Sequence, residues 1–472
     1  MRLLFCCEFY FPSVGGVQEV MRQLAERMVA EGHSVTVATT RLAERTSLEH
    51  NGVKIAEFDV GGNLVRGIVG EVDRYRDFVV GFDGDAMLIK AAQQWTFDAL
   101  WPVLDRVRMR KVFIPCGFSA LYEPGYKAYF EALPEVLRKF DHLIFYAECY
   151  RDVDFARAHG ISHFTILPNG ASELEFGVEQ DTGFRARHGI AEDSFVFLTV
   201  GSLTGVKGHR EVAAAFARLR TGGRPVTLIL NGNAPPAPPR IGDQRAVPEV
   251  TPARRFLARL RAVWREEGGA GIARRLRARI PQLLFRAVSR VARMSPRLGA
   301  TLAWSLPTFG DLEFWIERAR RQPAKQVLCV DLPRADVVNA FRSADLFVFA
   351  SNIEYSPLVL FESAAAGTPF LSVPVGNAEE IARWTGGGVI CPAPRDARGY
   401  TRADPRVLAR EMAALMGDPQ RLRALGETAH RHWSEGFTWH HIARRYEAIL
   451  HGAPASAVPQ EGCTATGCRT SG

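Results

Sequence analysis

The chain has 472 residues, a length beyond one ordinary hydrophobic core, so two domains are expected. Hydrophobic residues make up 47%, which excludes a mainly disordered chain, and the formal charge of +8 points to an acidic partner. No apolar run approaches the roughly 20 residues needed to cross a bilayer, and the eight cysteines include no CxxC pair of the metal-binding kind, so they are expected as reduced thiols in a cytosolic protein.

In chain order, the opening "MRLLFCCEFYFPSVGG" has a short apolar run interrupted by Glu8 and no small-residue cleavage site, which predicts a first β-strand rather than a signal peptide. A Gly-Gly turn follows. The next segment, "VQEVMRQLAERMVAEG", places Val17, Val20, Met21, Leu24 and Met28 on one helical face. Gly32 ends that helix, and "HSVTVATT" is a β-branched strand. Further strands are expected at "VKIAEF", "AMLIKA", "KVFIPC", "HLIFYA" and "FTILP", with helical patterns between most of them. This is the βαβ rhythm of a parallel sheet covered by helices on both faces. After a polar stretch near residues 177–193 the rhythm restarts, with "SFVFLTVG", "HREVAAAFARLR", "PVTLILNG", "DLEFWIERARRQ", "QVLCV", "ADVVNAFRSA", "LFVFAS", "LFESAAAG" and "TPFLSVP". The expected fold class is α/β, with two tandem doubly wound, Rossmann-like domains facing a central cleft. Their expected extents are 1–180 and 190–436, with a helix over 437–452 that closes the fold. Residues 234–308 interrupt the second domain, and the small, polar tail 453–472 is expected to be disordered.

Three stretches carry chemistry, and each also has a plain structural explanation. In "FYFPSVGGVQEV", Gly15 and Gly16 open the first helix at the cleft, where glycine lets a substrate approach the backbone; the alternative is an ordinary turn. In "TVGSLTGVKGHREVAAAF", Lys207 stands beside the free amides of a helix start, a place where it would neutralise a diphosphate. No Walker A spacing is present, and the alternative is a βα loop with a surface lysine. In "EYSPLVLFE", Pro357 suits a first helical turn, and the amides of Leu358 and Val359 are then free to meet an anion. Glu354 and Glu362 flank that helix start and suit paired hydroxyls of a sugar or ribose. The alternative is that acids gather near helix starts for dipole reasons. Asp83-Gly84-Asp85 could suggest a metal-dependent transferase, but Asp-Gly before a strand is ordinary turn chemistry.

Taken together, in this order and spacing, these stretches resemble the GT-B glycosyltransferases, and specifically the retaining family 4 group. The acid pair separated by seven residues matches that family's donor motif, and Gly201 to Gly208 matches its G-R-L-x-x-x-K-G segment, with Ser202 in place of the usual arginine. "LPNGAS" around Asn169 and Gly170, "VGNAEEI" with Glu380, and "FTWHHIARRYEAIL" match further family segments. Cys116, in "FIPCGFSAL", stands where the family often has a histidine, and it either touches the sugar or packs. The resemblance implies that Glu362 binds ribose hydroxyls, that Glu354 contacts the transferred sugar, and that Lys207 with the amides of Leu358 and Val359 holds the diphosphate. It implies Gly15, Gly16, Asn169 and Ser202 as the rest of the donor-binding set, with Glu354 and Lys207 as the catalytic pair. It also implies that the donor's own phosphate assists deprotonation of the acceptor, with no metal and no cofactor required.

Residues 234–308 begin with "APPAPPR" and become arginine-rich, with Phe256, Leu257, Leu260, Val263 and Trp264 at helical spacing. That pattern suits a helix lying in a membrane interface, and the alternative is an amphipathic subdomain packed on the enzyme. Nucleic acid is not expected as a partner, because no base-reading module accompanies the charge. The expected function is transfer of a sugar from a nucleotide-diphosphate donor to a glycan or lipid-linked acceptor, in cell-surface polysaccharide, lipopolysaccharide or glycolipid synthesis. The expected location is the cytoplasm, peripheral on the inner face of the membrane. The rival is a non-catalytic protein of the same fold that binds nucleotide sugars or glycans. A polysaccharide phosphorylase is a more distant alternative.

Overall fold

The structure is a computed structural model that describes residues 1–179, 181–233, 310–396 and 399–453. The expectations for 234–308 and for the tail from 454 onward lie outside the described residues.

Among the described residues there are sixteen strands: β1 (Arg2–Cys6), β2 (Ser34–Thr40), β3 (Glu49–His50), β4 (Val53–Phe58), β5 (Val60–Asn63), β6 (Gly67–Gly70), β7 (Ala86–Lys90), β8 (Arg110–Ile114), β9 (His142–Phe145), β10 (Phe164–Ile166), β11 (Phe195–Val200), β12 (Val226–Asn231), β13 (Lys325–Val330), β14 (Leu346–Phe349), β15 (Phe370–Ser372) and β16 (Gly388–Ile390). They form an eight-stranded sheet in the order β10-β9-β8-β7-β1-β2-β4-β3, a six-stranded sheet in the order β13-β12-β11-β14-β15-β16, and the β5–β6 hairpin. Each large sheet runs outward from its first strand in both directions, which is the doubly wound topology. The direction of winding reverses between β1 and β7 in the first sheet and between β11 and β14 in the second. Ligands in such sheets bind where the order reverses, outside the carboxyl ends of the strands.

The first helix, Gly16–Ala30, buries Val20, Met21, Leu24 and Met28 on the sheet, while Val17, expected on the same face, is only partly covered. The helix Trp439–Leu450 crosses back to the first sheet. Its Trp439, Ile442, Tyr446 and Ile449 share a core with Leu3, Leu24 and Met28. Burying each of these large side chains contributes roughly 1.5–3 kcal/mol. The chain therefore passes between the two sheets twice, and the passages lie side by side. Ala171 and Thr438 form a parallel bridge, with the Ala171 amide donating to the Phe437 carbonyl at 3.0 Å and the Trp439 amide to the Ala171 carbonyl at 3.2 Å.

Among the described residues, Cys6, Cys7, Cys116, Cys329 and Cys391 carry free thiols. Asp83 and Asp85 both face Arg2 at the turn before β7, at 2.6 Å from its guanidinium and its amide respectively.

Candidate active site

The loop after β11 and the loop after β14 meet at the point where the second sheet reverses. Gly208 has φ +79°, and a Cβ built on it would lie 2.1 Å from the Ala350 carbonyl oxygen, so the two backbones cross where only glycine fits. The Asn352 amide donates to the Val206 carbonyl at 2.8 Å and fastens the crossing. This brings Lys207 to Glu354, with Nζ 2.6 Å from Oε1, and Ser351 Oγ donates to the same oxygen at 3.0 Å. The helix Leu358–Ala365 starts immediately beyond. Pro357 is its N-cap and no side chain caps it among the described residues. The opening amides of Leu358 and Val359, the positive end of the helix dipole, therefore point into the same place. Ser202 lies in the first loop and carries no charge.

Glu362, 7% exposed, stands one turn into that helix. Its Oε1 meets Arg334 Nη2 at 2.7 Å, and Arg334 also forks onto Glu175 at 2.7 and 3.2 Å. Burial works against the Arg334 charge, but Glu362 and Glu175 more than offset it and hold its pKa above the usual arginine range. Arg334 also helps to lower the pKa of Glu19 on the first helix; burial opposes that shift, and Arg22 and Gln23 contribute to it as well. Glu362 and Glu175 thus share one guanidinium, and its charge reaches as far as Glu19 on the first helix. Nothing in the sequence distinguished Arg334, which reads as an ordinary residue at a helix start.

In the first half, a Cβ on Gly16 would meet nothing within 4 Å, so open space adjoins the first helix start; at Gly15 it would meet the flexible end of Gln18. Asn169 is buried, and its Nδ2 donates to the Ser356 carbonyl at 3.1 Å, so it anchors the Glu354 loop from the linker. Several contacts clasp the two halves. Tyr150 donates its hydroxyl to the Glu354 carbonyl at 2.8 Å, and Tyr355 accepts at its hydroxyl from the Tyr146 amide at 2.9 Å. Glu380 accepts from the amides of Glu148 and Cys149, both at 2.9 Å, and Asn377 donates to the Tyr146 carbonyl at 2.9 Å. Glu380 therefore grips the backbone of the first half.

Cys116, Gly117 and Phe118 all have positive φ, at +64°, +89° and +45°. This kinked segment lies against Tyr355, whose ring is 3.0 Å from a Cβ built on Gly117. Burial raises the Cys116 pKa, and nearby Lys90 opposes the rise. Lys90 is fully buried against the Tyr146 hydroxyl, and burial lowers its pKa to about 8. Cys116 itself is partly exposed beside Tyr355.

Four acids near the cleft are protonated more readily than usual, in each case chiefly because they are buried. Glu8 and Glu380 are raised to about 7, and Asp98 and Asp152 to about 6. An acid whose folded pKa is raised binds its proton more tightly folded than unfolded, so these groups withdraw stability as pH rises from roughly 4.5 to 7. The stabilisation they give on going from about pH 8 to about pH 6 should shrink in Glu8→Gln, read as a smaller shift in urea midpoint between the two conditions. An unchanged shift would contradict the raised pKa of Glu8.

Residues 313–432, which include Arg334, Glu354 and Glu362, match the sequence profile of the family "Glycosyl transferases group 1". A D-inositol 3-phosphate glycosyltransferase of Nocardia farcinica is 36% identical over 130 residues, which is 26% of this chain and 27% of that protein. The match thus spans about a quarter of the length of that curated relative. Over nearly the whole chain, the structure is similar to sucrose-phosphate synthase from Thermosynechococcus elongatus, with a TM-score of 0.62, 16% identity and coverage of 97% and 100% of the two chains. It is similar also to Anabaena HepE in complex with UDP-glucose, with a TM-score of 0.61, 16% identity and coverage of 96% and 99%. These likenesses show the fold, which is the GT-B architecture.

Proposed function

We propose that this chain is a glycosyltransferase of the retaining family 4 kind, which moves a sugar from a nucleotide-diphosphate donor to a hydroxyl of a glycan or lipid-linked acceptor. The observation that carries the proposal is the meeting of Lys207, Glu354 and a helix start with no side-chain cap among the described residues, at the reversal of the second sheet. A departing nucleoside diphosphate gains negative charge. Lys207 and the amides of Leu358 and Val359 are fixed before it forms, so they stabilise the transition state with little reorganisation. Glu354 steadies the lysine and faces the sugar. Arg334 holds one oxygen of Glu362 and leaves the other for a ribose hydroxyl. Ser202 adds no cation, and Arg334 brings an arginine to this wall of the cleft instead.

The relative that acts, by its name, on D-inositol 3-phosphate and the UDP-glucose complex of HepE support a nucleotide-sugar donor and a hydroxylated acceptor. No described helix is long and apolar enough to cross a membrane. Peripheral attachment through 234–308 is part of the same proposal.

Glu362→Ala tests the donor assignment. Loss of charge-assisted hydrogen bonds to a ribose corresponds to roughly 1.5–3 kcal/mol, so affinity for UDP measured by calorimetry should fall about ten- to a hundredfold. UDP binding at parental strength would refute the ribose role. Hydrolysis of a nucleotide sugar without acceptor separates an enzyme from the rival, a protein of this fold that only binds.

A further inference from the structure

The turn before β2 meets the end of the helix Trp439–Leu450. His33 is placed there by the way the first helix stops. Gly32 has φ +87°, its amide donates to the Val29 carbonyl at 2.9 Å, and the His33 amide donates to the Met28 carbonyl at 2.9 Å. This left-handed stop satisfies the last carbonyls of the helix and turns the chain back. The His33 ring then reaches Glu447, with Nε2 2.8 Å from Oε1, across 414 positions of sequence. His451 stands four residues beyond Glu447, just past the end of the same helix, a spacing that puts both on one side. The rings of His33 and His451 meet edge to face, with centroids 6.0 Å apart.

One ligand atom from each of His33, Glu447 and His451 lies within 4.8 Å of the other two. Ligand atoms about 2.1 Å from a tetrahedral zinc ion are roughly 3.4 Å from one another, so the three stand near that geometry. His33 and Glu447 would part slightly. His451 is exposed and follows the last helical turn, so it is free to close in. The other ring nitrogen of His33, Nδ1, lies 2.9 Å from the Met1 amine, a contact that holds the plane of the ring. A hydrogen bond between His33 and Glu447 needs no third member, yet a second imidazole stands at the same place. Two imidazoles and one carboxylate suit Zn²⁺ and its neighbours among the transition metals. Mg²⁺ and Ca²⁺ favour all-oxygen sites.

We propose that His33, Glu447 and His451 bind a divalent transition-metal ion of the zinc kind, which fastens the end of the last helix to the first half of the chain. Three protein ligands leave a fourth position for water. The role is structural. His33 immediately precedes β2, so the site lies at the amino ends of the parallel strands, whereas the cleft lies at their carboxyl ends. None of the three residues belongs to the donor set, so the site stands independently of the donor assignment. An ion held by residues so far apart in sequence binds the folded chain in preference to the unfolded one, and therefore stabilises it.

The test uses the full chain without a polyhistidine tag, stripped of metal by a chelator. Calorimetry should show a single Zn²⁺ bound per chain, with an affinity on the order of micromolar or tighter. His451→Ala removes an exposed ligand and leaves the hydrogen bond between His33 and Glu447 in place. Without metal, its urea midpoint should match the parent's. Its Zn²⁺ affinity should fall at least about tenfold, and Glu447→Gln should do the same. Zn²⁺ should raise the urea midpoint of the parent and not that of His451→Ala. Co²⁺ should give the parent the visible absorption of a four-coordinate site, and His451→Ala should lose it. A parent that binds no Zn²⁺ at micromolar concentrations overturns the proposal. So does Zn²⁺ binding of equal strength in the parent and both variants, or ready displacement of Zn²⁺ by Mg²⁺.

Discussion

Lys207→Ala is expected to lower turnover of the nucleotide sugar by about 10²–10³-fold, the usual consequence of removing one preorganised charge-stabilising group from a transition state. The ion pair with Glu354 adds a second effect. Without the ammonium 2.6 Å away, the Glu354 carboxylate faces the diphosphate uncompensated, so binding of UDP should weaken as well. Uridine, which has no phosphate, should bind the variant and the parent alike. The repulsion is separable from the loss of the lysine: Glu354→Gln added to Lys207→Ala should recover part of the UDP affinity but not the turnover. Equal losses for UDP and uridine would mean that Lys207 lies away from the phosphates.

Gly208→Ala should be among the most damaging single substitutions outside the cores. Its Cβ would stand 2.1 Å from a backbone oxygen that no rotamer change can move, at a φ of +79°. Strain and displacement of the crossing loops together correspond to roughly 2–4 kcal/mol. Gly205→Ala is the control. Gly205 has φ +81°, but a Cβ there meets nothing within 4 Å, so only backbone strain of about 1 kcal/mol applies. Urea denaturation should show the large loss at 208 and the small one at 205. The 208 variant should also lose UDP binding, because the same crossing sets Lys207 against Glu354. Equal midpoints for the two variants would show that the contact with Ala350 yields easily.

Much of the fold was legible because periodicity reports burial directly. "VKIAEF" predicted β4 at its observed limits, and "HREVAAAFARLR" predicted the helix that begins at His209. The β5–β6 hairpin was missed because its glycines, Gly61, Gly62, Gly67 and Gly70, carry no hydrophobic pattern. Within the site, sequence spacing suggested that Glu354 and Glu362 share a helix start, and the structure has them there. Contacts between distant segments were not legible. The clasp of Glu380 on two amides depends on residues more than 200 positions away, and no local signal encodes such a partner. Arg334 reaches Glu175 and Glu362 only after the linker and two helices have packed. Cys116 was expected to touch a sugar or to pack; it is partly exposed in a run of positive φ, beside the buried Lys90 and the partly buried Tyr355.

The paired passages of chain at Ala171 and Thr438 have a mechanical consequence. Two bodies joined by one strand can swing, twist and slide about the joint. Here two adjacent, hydrogen-bonded strands make the joint, and a Cβ on Gly170 would already lie 2.5 Å from the Phe437 carbonyl oxygen. Such a ribbon resists torsion and shear but bends across its width, which leaves one soft rotational degree of freedom. Any relative motion of the halves about this joint is therefore expected to follow an arc.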